Sequence, residues 1–434
     1  MSVDNERWER MKKTAQVHLA MEARETLTRM EDSFSNGPGA MQYFYDLHRA
    51  SYCDGTPLRT AGKTIGTLCV QVPEELIYAA GAVPLRLCSG AYAFDQIGAD
   101  FLPAKSCPLI KATLGMLHIG PPAFAGSLSL IVNPSTCDQK KKAGEMLEDF
   151  GYPVYHLEMP PAKASEEARV YWRQSIKKFS RVLEKTTGQR ITEKRLADAI
   201  ARVRSAQTAY RRLRDFMKSA TPPIRGTDVM VVTNAYFFDD IGKWTGAVTA
   251  LCNELESRTG TGASATLRHA PRILFTGSPP VFPNLKLPLL IEESGGIIVA
   301  DEVCSASRLL NDMVAFDEPH LYDMIPAVAD RYLKPCTCPV FTSSEDRKRK
   351  LVEQAQSFDA DGVVYQSFAG CMPYELEQRL VGKHLAEAEI PMLSIETDYS
   401  PDDAGQLATR VEAFMESLKG RARRKANDEV RMMK

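Results

Sequence analysis

The stretch KTIGTLCVQVPEELIYAAGAVPLRL, residues 63–87, decides the fold. KTIGTLCV is short and carries β-branched and aliphatic residues, which suits a strand. Pro73 followed by Glu74 and Glu75 reads as a helix start: proline gives up an amide that has no partner there, and acids suit the positive end. Gly81 stops that helix, and VPLRL is the next strand. Strand, helix and strand in one run make a parallel crossover unit.

The pattern continues on both sides. DFLPAKSCPLIKATLGML turns at Pro103 and enters a helix after Cys107. SLSLIVN is a strand, and NPSTCDQKKKAGEMLEDFG supplies its exit loop and helix. A second unit restates the first: strand RILFTGS, helix PNLKLPLLIEESGG, strand GGIIVADEVC, helical SASRLLNDMV and turn RYLKPCTCPVF. Strand and loop FDADGVVYQSFAGC, helix PYELEQRLVGKHLAEAE, strand IPMLSIETD and helix GQLATRVEAFMESLKG close it. The repeat is one of pattern, since the opening loop holds Cys69 in the first unit and Gly277-Ser278 in the second. RWERMKKTAQVHLAMEARETLTRM precedes both units and is rich in helix formers. Residues 163–220 are charged with helical periodicity, and TPPIRG breaks the pattern. The expected class is α/β: two doubly wound parallel-sheet (Rossmann-like) domains with a helical N-terminal extension and a helical middle segment. The divisions are 1–60 helical extension, 61–162 first α/β domain, 163–225 helical segment, 226–420 second α/β domain and 421–434 charged tail.

The chain has 434 residues, 44% hydrophobic and 25% charged, which fits a multidomain globular protein. A net charge of -1 gives nucleic acid no electrostatic hold. The amino terminus, MSVDNERWERMKK, lacks a signal-peptide core, and no apolar run reaches bilayer length. A cytoplasmic protein with no nucleic-acid or membrane partner is expected. In a reducing compartment its ten cysteines are metal-binding or catalytic before they are disulfides.

Cys69, Cys107 and Cys137 in the first unit, and Cys304, Cys336 or Cys338, and Cys371 in the second, fall where a strand ends or a helix begins. Ligands in open α/β sheets bind beyond the carboxyl ends of the strands. Three thiolates per unit is the set that leaves one iron of a cubane without cysteine. Cys107, Cys137 and Cys371 each precede a helix, whose positive end favours thiolate. The lysines of STCDQKKK either add to that charge or are a solvated helix face. Cys252 and Cys53 read as plain buried thiols, and Cys88, after VPLRL, is left open.

Rival chemistries are weaker. CTC at 336–338 is not CxxC, and no histidine pair is spaced to complete a zinc site. A cysteine nucleophile, Cys371 or Cys137, would need a histidine base that no motif marks. AGKT at 61–64 resembles the end of a P-loop, but Pro57 stands where glycine is required, and no GxGxxG follows a strand. Glu74 and Glu75, like Glu292 and Glu293, read as acids at matching helix positions that favour the dipole, or one of them as a proton donor or a partner to a backbone amide near a cluster.

The segments TLCVQVPEELIYAAGAVPLRL, LPAKSCPLIKATLG, NPSTCDQKKK, LIEESGGIIVADEVC, RYLKPCTCPV and DGVVYQSFAGCMPYELE resemble the 2-hydroxyacyl-CoA dehydratase and benzoyl-CoA reductase family from about residue 60 to 400. Two triads, where the family's dehydratase subunits usually carry one, bring the chain nearest its double-cubane cluster proteins. The resemblance implies two [4Fe-4S] cubanes joined as a double cubane in an oxygen-sensitive homodimer. Cys69, Cys107 and Cys137 would hold one cubane; Cys304, Cys371 and a cysteine of CTC, Cys338 or Cys336, the other. It also implies an activator ATPase with its own iron–sulfur cluster, which would drive a low-potential electron into this chain to reduce a small substrate. The alternatives are a dehydratase subunit with a single cluster, or a non-catalytic iron–sulfur carrier. No catalytic residue is marked.

Overall fold

A computed structural model describes residues 3–34, 36–56, 62–120, 127–260 and 270–432. Pro57 and Ala61 of the P-loop comparison lie outside them. The chain opens with α1 (Val3–Ser33) and α2 (Gln42–His48). One face of α1 is buried through Ala15, Leu19, Ala23, Leu27 and Met30, a helical period. Its Glu22 carboxylate accepts the amides of Tyr92 and Ala93 at 2.8 Å, and Thr26 Oγ1 donates to the Pro283 carbonyl. The extension is therefore packed against both halves.

The first sheet follows as β1 (Lys63–Thr67), α3 (Glu74–Ala79), β2 (Ala82–Arg86), α4 (Tyr92–Ala99), α5 (Pro108–His118), β3 (Leu128–Pro134), α6 (Asp138–Asp149) and β4 (Val154–Leu157). The middle segment is α7 (Glu166–Thr187) and α8 (Glu193–Asp215). Ser165 and Thr192 cap these helices by accepting from the amides three residues on. α7 buries Trp172, Ile176, Phe179 and Leu183. α9 (Gly226–Ala235) is buried along its whole length, and α10 (Ile241–Gly260) follows.

The second sheet comprises β5 (Arg272–Gly277), α11 (Lys286–Glu293), β6 (Ile297–Glu302), α12 (Ser307–Leu310), α13 (Leu321–Leu333), α14 (Glu345–Ser357), β7 (Gly362–Phe368), α15 (Met372–Glu387) and β8 (Met392–Thr397). α16 (Ala404–Met432) ends the chain, so the boundary expected at 421 falls inside a helix. β5, β6 and β7 are buried at every position, as parallel strands covered on both faces are.

The sheets are parallel throughout and have the same order, β2-β1-β3-β4 and β6-β5-β7-β8. In each, the chain leaves the first strand to one side and returns on the other. That reversal puts a crevice beyond the ends of β1 and β3, and of β5 and β7.

Candidate functional site: a cavity walled by thiols

Both crevices open into one cavity of about 780 Å³. Cys69, Cys88, Cys107 and Cys137 reach it from the first half, and Cys304, Cys338 and Cys371 from the second. Cys107, Cys137 and Cys371 are the residues immediately before α5, α6 and α15, where unpaired amides converge. Cys336 is not on the wall: it is buried, and its sulfur accepts from Gln71 Nε2. Cys252 is buried within α10, and Cys53 donates to the Ala20 carbonyl.

Polar side chains staple the halves around this cavity. Gln139 accepts from the Cys107 amide and donates to the Gly370 carbonyl, each at 2.8 Å. Tyr332 donates to Glu75 at 2.8 Å and accepts the Glu74 amide. Lys163 holds the carbonyls of Lys334 and Cys336, and Thr342 bonds to Pro161. Gly370, at φ +79, leaves room for the Lys105 carbonyl, which a Cβ would meet at 2.0 Å.

The charge of the wall is one-sided, but its apolar residues are not. Its cations, Arg86, Lys140 and Lys141, come from the first half, whereas apolar residues come from both, Leu109, Ile110 and Met159 from the first and Phe368, Met372 and Leu376 from the second. Burial opposes the charge of Lys140, but Cys69, Cys88 and Cys137 outweigh it and hold the ammonium above its ordinary pKa. The other lysines of the run pair outward, Lys141 with Asp138 and Lys142 with Glu145. Arg308 is likewise held cationic against burial by Tyr374, Cys304, Cys338 and Cys336; it donates to Cys304 Sγ at 3.2 Å and Tyr374 Oη at 2.6 Å. Its charge is shared with Glu302, which also pairs with Arg347.

Two thiols influence each other across the halves. Cys371 and then the first amides of α5 hold the Cys107 thiol below its ordinary pKa against burial, whereas Cys107 and burial raise Cys371 well above it. Burial pushes Cys336 up to about 11 and Cys338 well above its usual value.

The donor set suits a soft, multinuclear centre: several thiols, few competing oxygens, and buried cations to offset anionic charge. Among the described residues no three His, Cys, Asp or Glu side chains converge as ligands of one ion. A cubane does not require that, because each thiolate binds its own iron.

The paired glutamates do not match as the sequence suggests. Glu74 and Glu75 open α3, whereas Glu292 and Glu293 close α11. None of the four is on the wall. Glu292 caps α9 by accepting the amides of Gly226 and Thr227, and Glu293 pairs with Arg29. Cys88 is the thiol the strand pattern could have assigned: it lies two residues past β2, as Cys304 lies two past β6. Glu158 and Tyr171, hydrogen-bonded at 2.9 Å beside the cavity, carry no sequence signal.

A fold of two like-wound sheets with a thiol-lined cavity between them defines a class of two-lobed α/β proteins. The chain belongs to the family of the 2-hydroxyglutaryl-CoA dehydratase D-component, whose model matches residues 69–418. It is 32% identical over 392 residues to YjiM of Escherichia coli (strain K12), provisionally named a dehydratase subunit; the match spans 88% of this chain and 98% of that protein. It is 24% identical to the (R)-phenyllactyl-CoA dehydratase beta subunit of Clostridium sporogenes, over 83% of this chain and 93% of the relative. A benzoyl-CoA reductase subunit of Thauera aromatica is 21% identical, over 82% and 91%. Among the described residues no helix is long and apolar enough to cross a membrane.

Proposed function

We propose that this chain is the iron–sulfur component of an ATP-dependent reductase. It would take low-potential electrons from a separate activator ATPase carrying its own cluster and pass them to a small substrate at a double cubane. The observation that carries this reading is the convergence of Cys69, Cys107, Cys137, Cys304, Cys338 and Cys371, from distant parts of the chain, on one cavity. Those six thiolates would hold two [4Fe-4S] cubanes, with Cys336 behind the wall as a buried hydrogen-bond acceptor. When bound, the clusters would supply one-electron reducing chemistry at low potential. The chain's own part is to keep thiolates ionised through the helix ends and Lys140, to offset charge through Arg308, and to shield the site between its halves. A cytoplasmic homodimer fits this reading.

The second reading is a dehydratase subunit with a single [4Fe-4S] cluster, favoured by the names of two relatives. Iron and acid-labile sulfide on protein purified without oxygen separate the two. The expected result is about eight irons per chain; about four would favour the single-cluster subunit. No iron after anaerobic reconstitution would sink both.

A further inference from the structure

A group of buried charges lies beside Cys304 and Cys338. Glu302, the last residue of β6, is buried and takes five hydrogen bonds on its carboxylate. Its Oε1 accepts from Arg308 Nε at 2.5 Å and from Thr337 Oγ1. Its Oε2 accepts from Arg308 Nη2 at 2.7 Å, from Thr276 Oγ1 at 3.2 Å and from Arg347. Thr337 is the middle residue of the CTC run, so one carboxylate fixes both the exit of β6 and the turn that carries Cys338. Arg347 pairs in turn with Glu377 at 2.6 Å, so Glu302 and Glu377 balance Arg308 and Arg347. Matched charge of this kind can stay out of water.

The pairing leaves Arg308 one place to aim. With Nε and Nη2 on the carboxylate, Nη1 donates to Cys304 Sγ at 3.2 Å and to Tyr374 Oη at 2.6 Å. The Tyr374 oxygen accepts there, and its own hydrogen is left for another acceptor. Cys304 Sγ is 3.9 Å away, and a thiolate at that place can only accept. Arg86 makes the contrast in the first half: it reaches Cys88 at 3.9 Å, and its buried Nε has no partner.

We propose that Arg308 and Tyr374 are positioning residues that set the reduction potential at Cys304, with Glu302 and Thr337 as the frame that aims them. This rests on the iron–sulfur reading above. Hydrogen bonds to a cluster's sulfurs tune its potential, and donors favour the more negative, reduced state. Donors already fixed by the carboxylate need no rearrangement when the electron arrives.

The test uses full-length protein prepared anaerobically, with iron counted and the midpoint potential read from the paramagnetic spectrum in a dye-mediated titration. Tyr374→Phe removes one hydroxyl and keeps the ring. It is expected to hold the parent's iron and to disfavour reduction about tenfold, a downward shift of about 59 mV for one electron. Arg308→Lys keeps the charge but loses the fork that reaches carboxylate, sulfur and phenol together, and should shift the potential the same way. Thr337→Val should lower it as well, and Thr337→Ser should restore it. Tyr365→Phe is the control, since that hydroxyl donates to the Tyr374 carbonyl at 2.9 Å and to Glu377 at 3.3 Å. It should cost stability and leave the potential where it was.

If Tyr374→Phe and Arg308→Lys titrate with the parent, the network is structural alone and the proposal falls. It falls too if Tyr365→Phe moves the potential as far as Tyr374→Phe does. Should Tyr374→Phe not assemble, Arg308→Lys and the two Thr337 variants decide by the same criterion. A parent without iron fails the iron–sulfur reading itself, and the proposal with it.

Discussion

Cys336 and Cys338 stand two positions apart and do different work. Cys338 reaches the cavity, whereas Cys336 turns away and takes a hydrogen bond from Gln71. Cys338→Ala should therefore lose about half the iron. Cys336→Ala should keep it and cost about 1–2 kcal/mol of stability, read by denaturant unfolding, for the lost packing and the orphaned amide. Lys140 gives a second contrast. Its ammonium sits among Cys69, Cys88 and Cys137 and donates to the Leu68 carbonyl. Replacing it by methionine removes about 1–3 kcal/mol of favourable charge interaction at an effective dielectric of about 20. Lys140→Met should shift the midpoint potential of the reconstituted protein downward, while Lys142→Met, paired outward to Glu145, should leave it unmoved. Residue types and strand-end placement made the six thiols legible in sequence. What separates Cys336 from Cys338, and Lys140 from its neighbours, is the direction of a side chain, which only packing sets.

At the scale of elements, α3 carries a titration. Glu74 accepts from Tyr236 at 2.7 Å, and burial raises its pKa to about 7 from 4.5. In the unfolded chain it ionises near 4.5, so between about 4.5 and 7 the folded state holds more protons and stability falls as pH rises. Neutral Gln at this position keeps the acceptor and removes the ionisation. Glu74→Gln should flatten that part of the stability–pH curve by roughly 3 kcal/mol, measured by denaturant unfolding at pH 4.5 and 7.5. A parallel slope in parent and variant would count against it. Most strands were legible from their apolar runs, β7 and β6 above all. β4 was not, because VYHL is short, half-exposed and interrupted by a histidine. The helix read from SASRLLNDMV shrinks to Ser307–Leu310, because Ser307 is held by Asp301 at the strand exit and the chain leaves the helix at Asn311. α13 was missed behind Pro326, which sits inside it.

Over the whole molecule, periodicity gave two like-wound sheets, and the structure has them in the same order. How the lobes meet was not legible, since it depends on contacts between residues far apart in sequence. Gln71 and Cys336 are separated by 265 positions, and Gln139 and Gly370 by 231. Such closures come late, because chain entropy must be spent before they return anything. On the ribosome, the strands of the first sheet are all made by Leu157, and α7 and α8, which pack on β4 and α3, by Asp215, while the opposite wall is still unmade. The thiols of the first half therefore stand open to oxygen and stray metal until translation passes Cys371. The order of synthesis thus sets a vulnerable interval for this chain, and slower elongation across residues 300–370 would lengthen it.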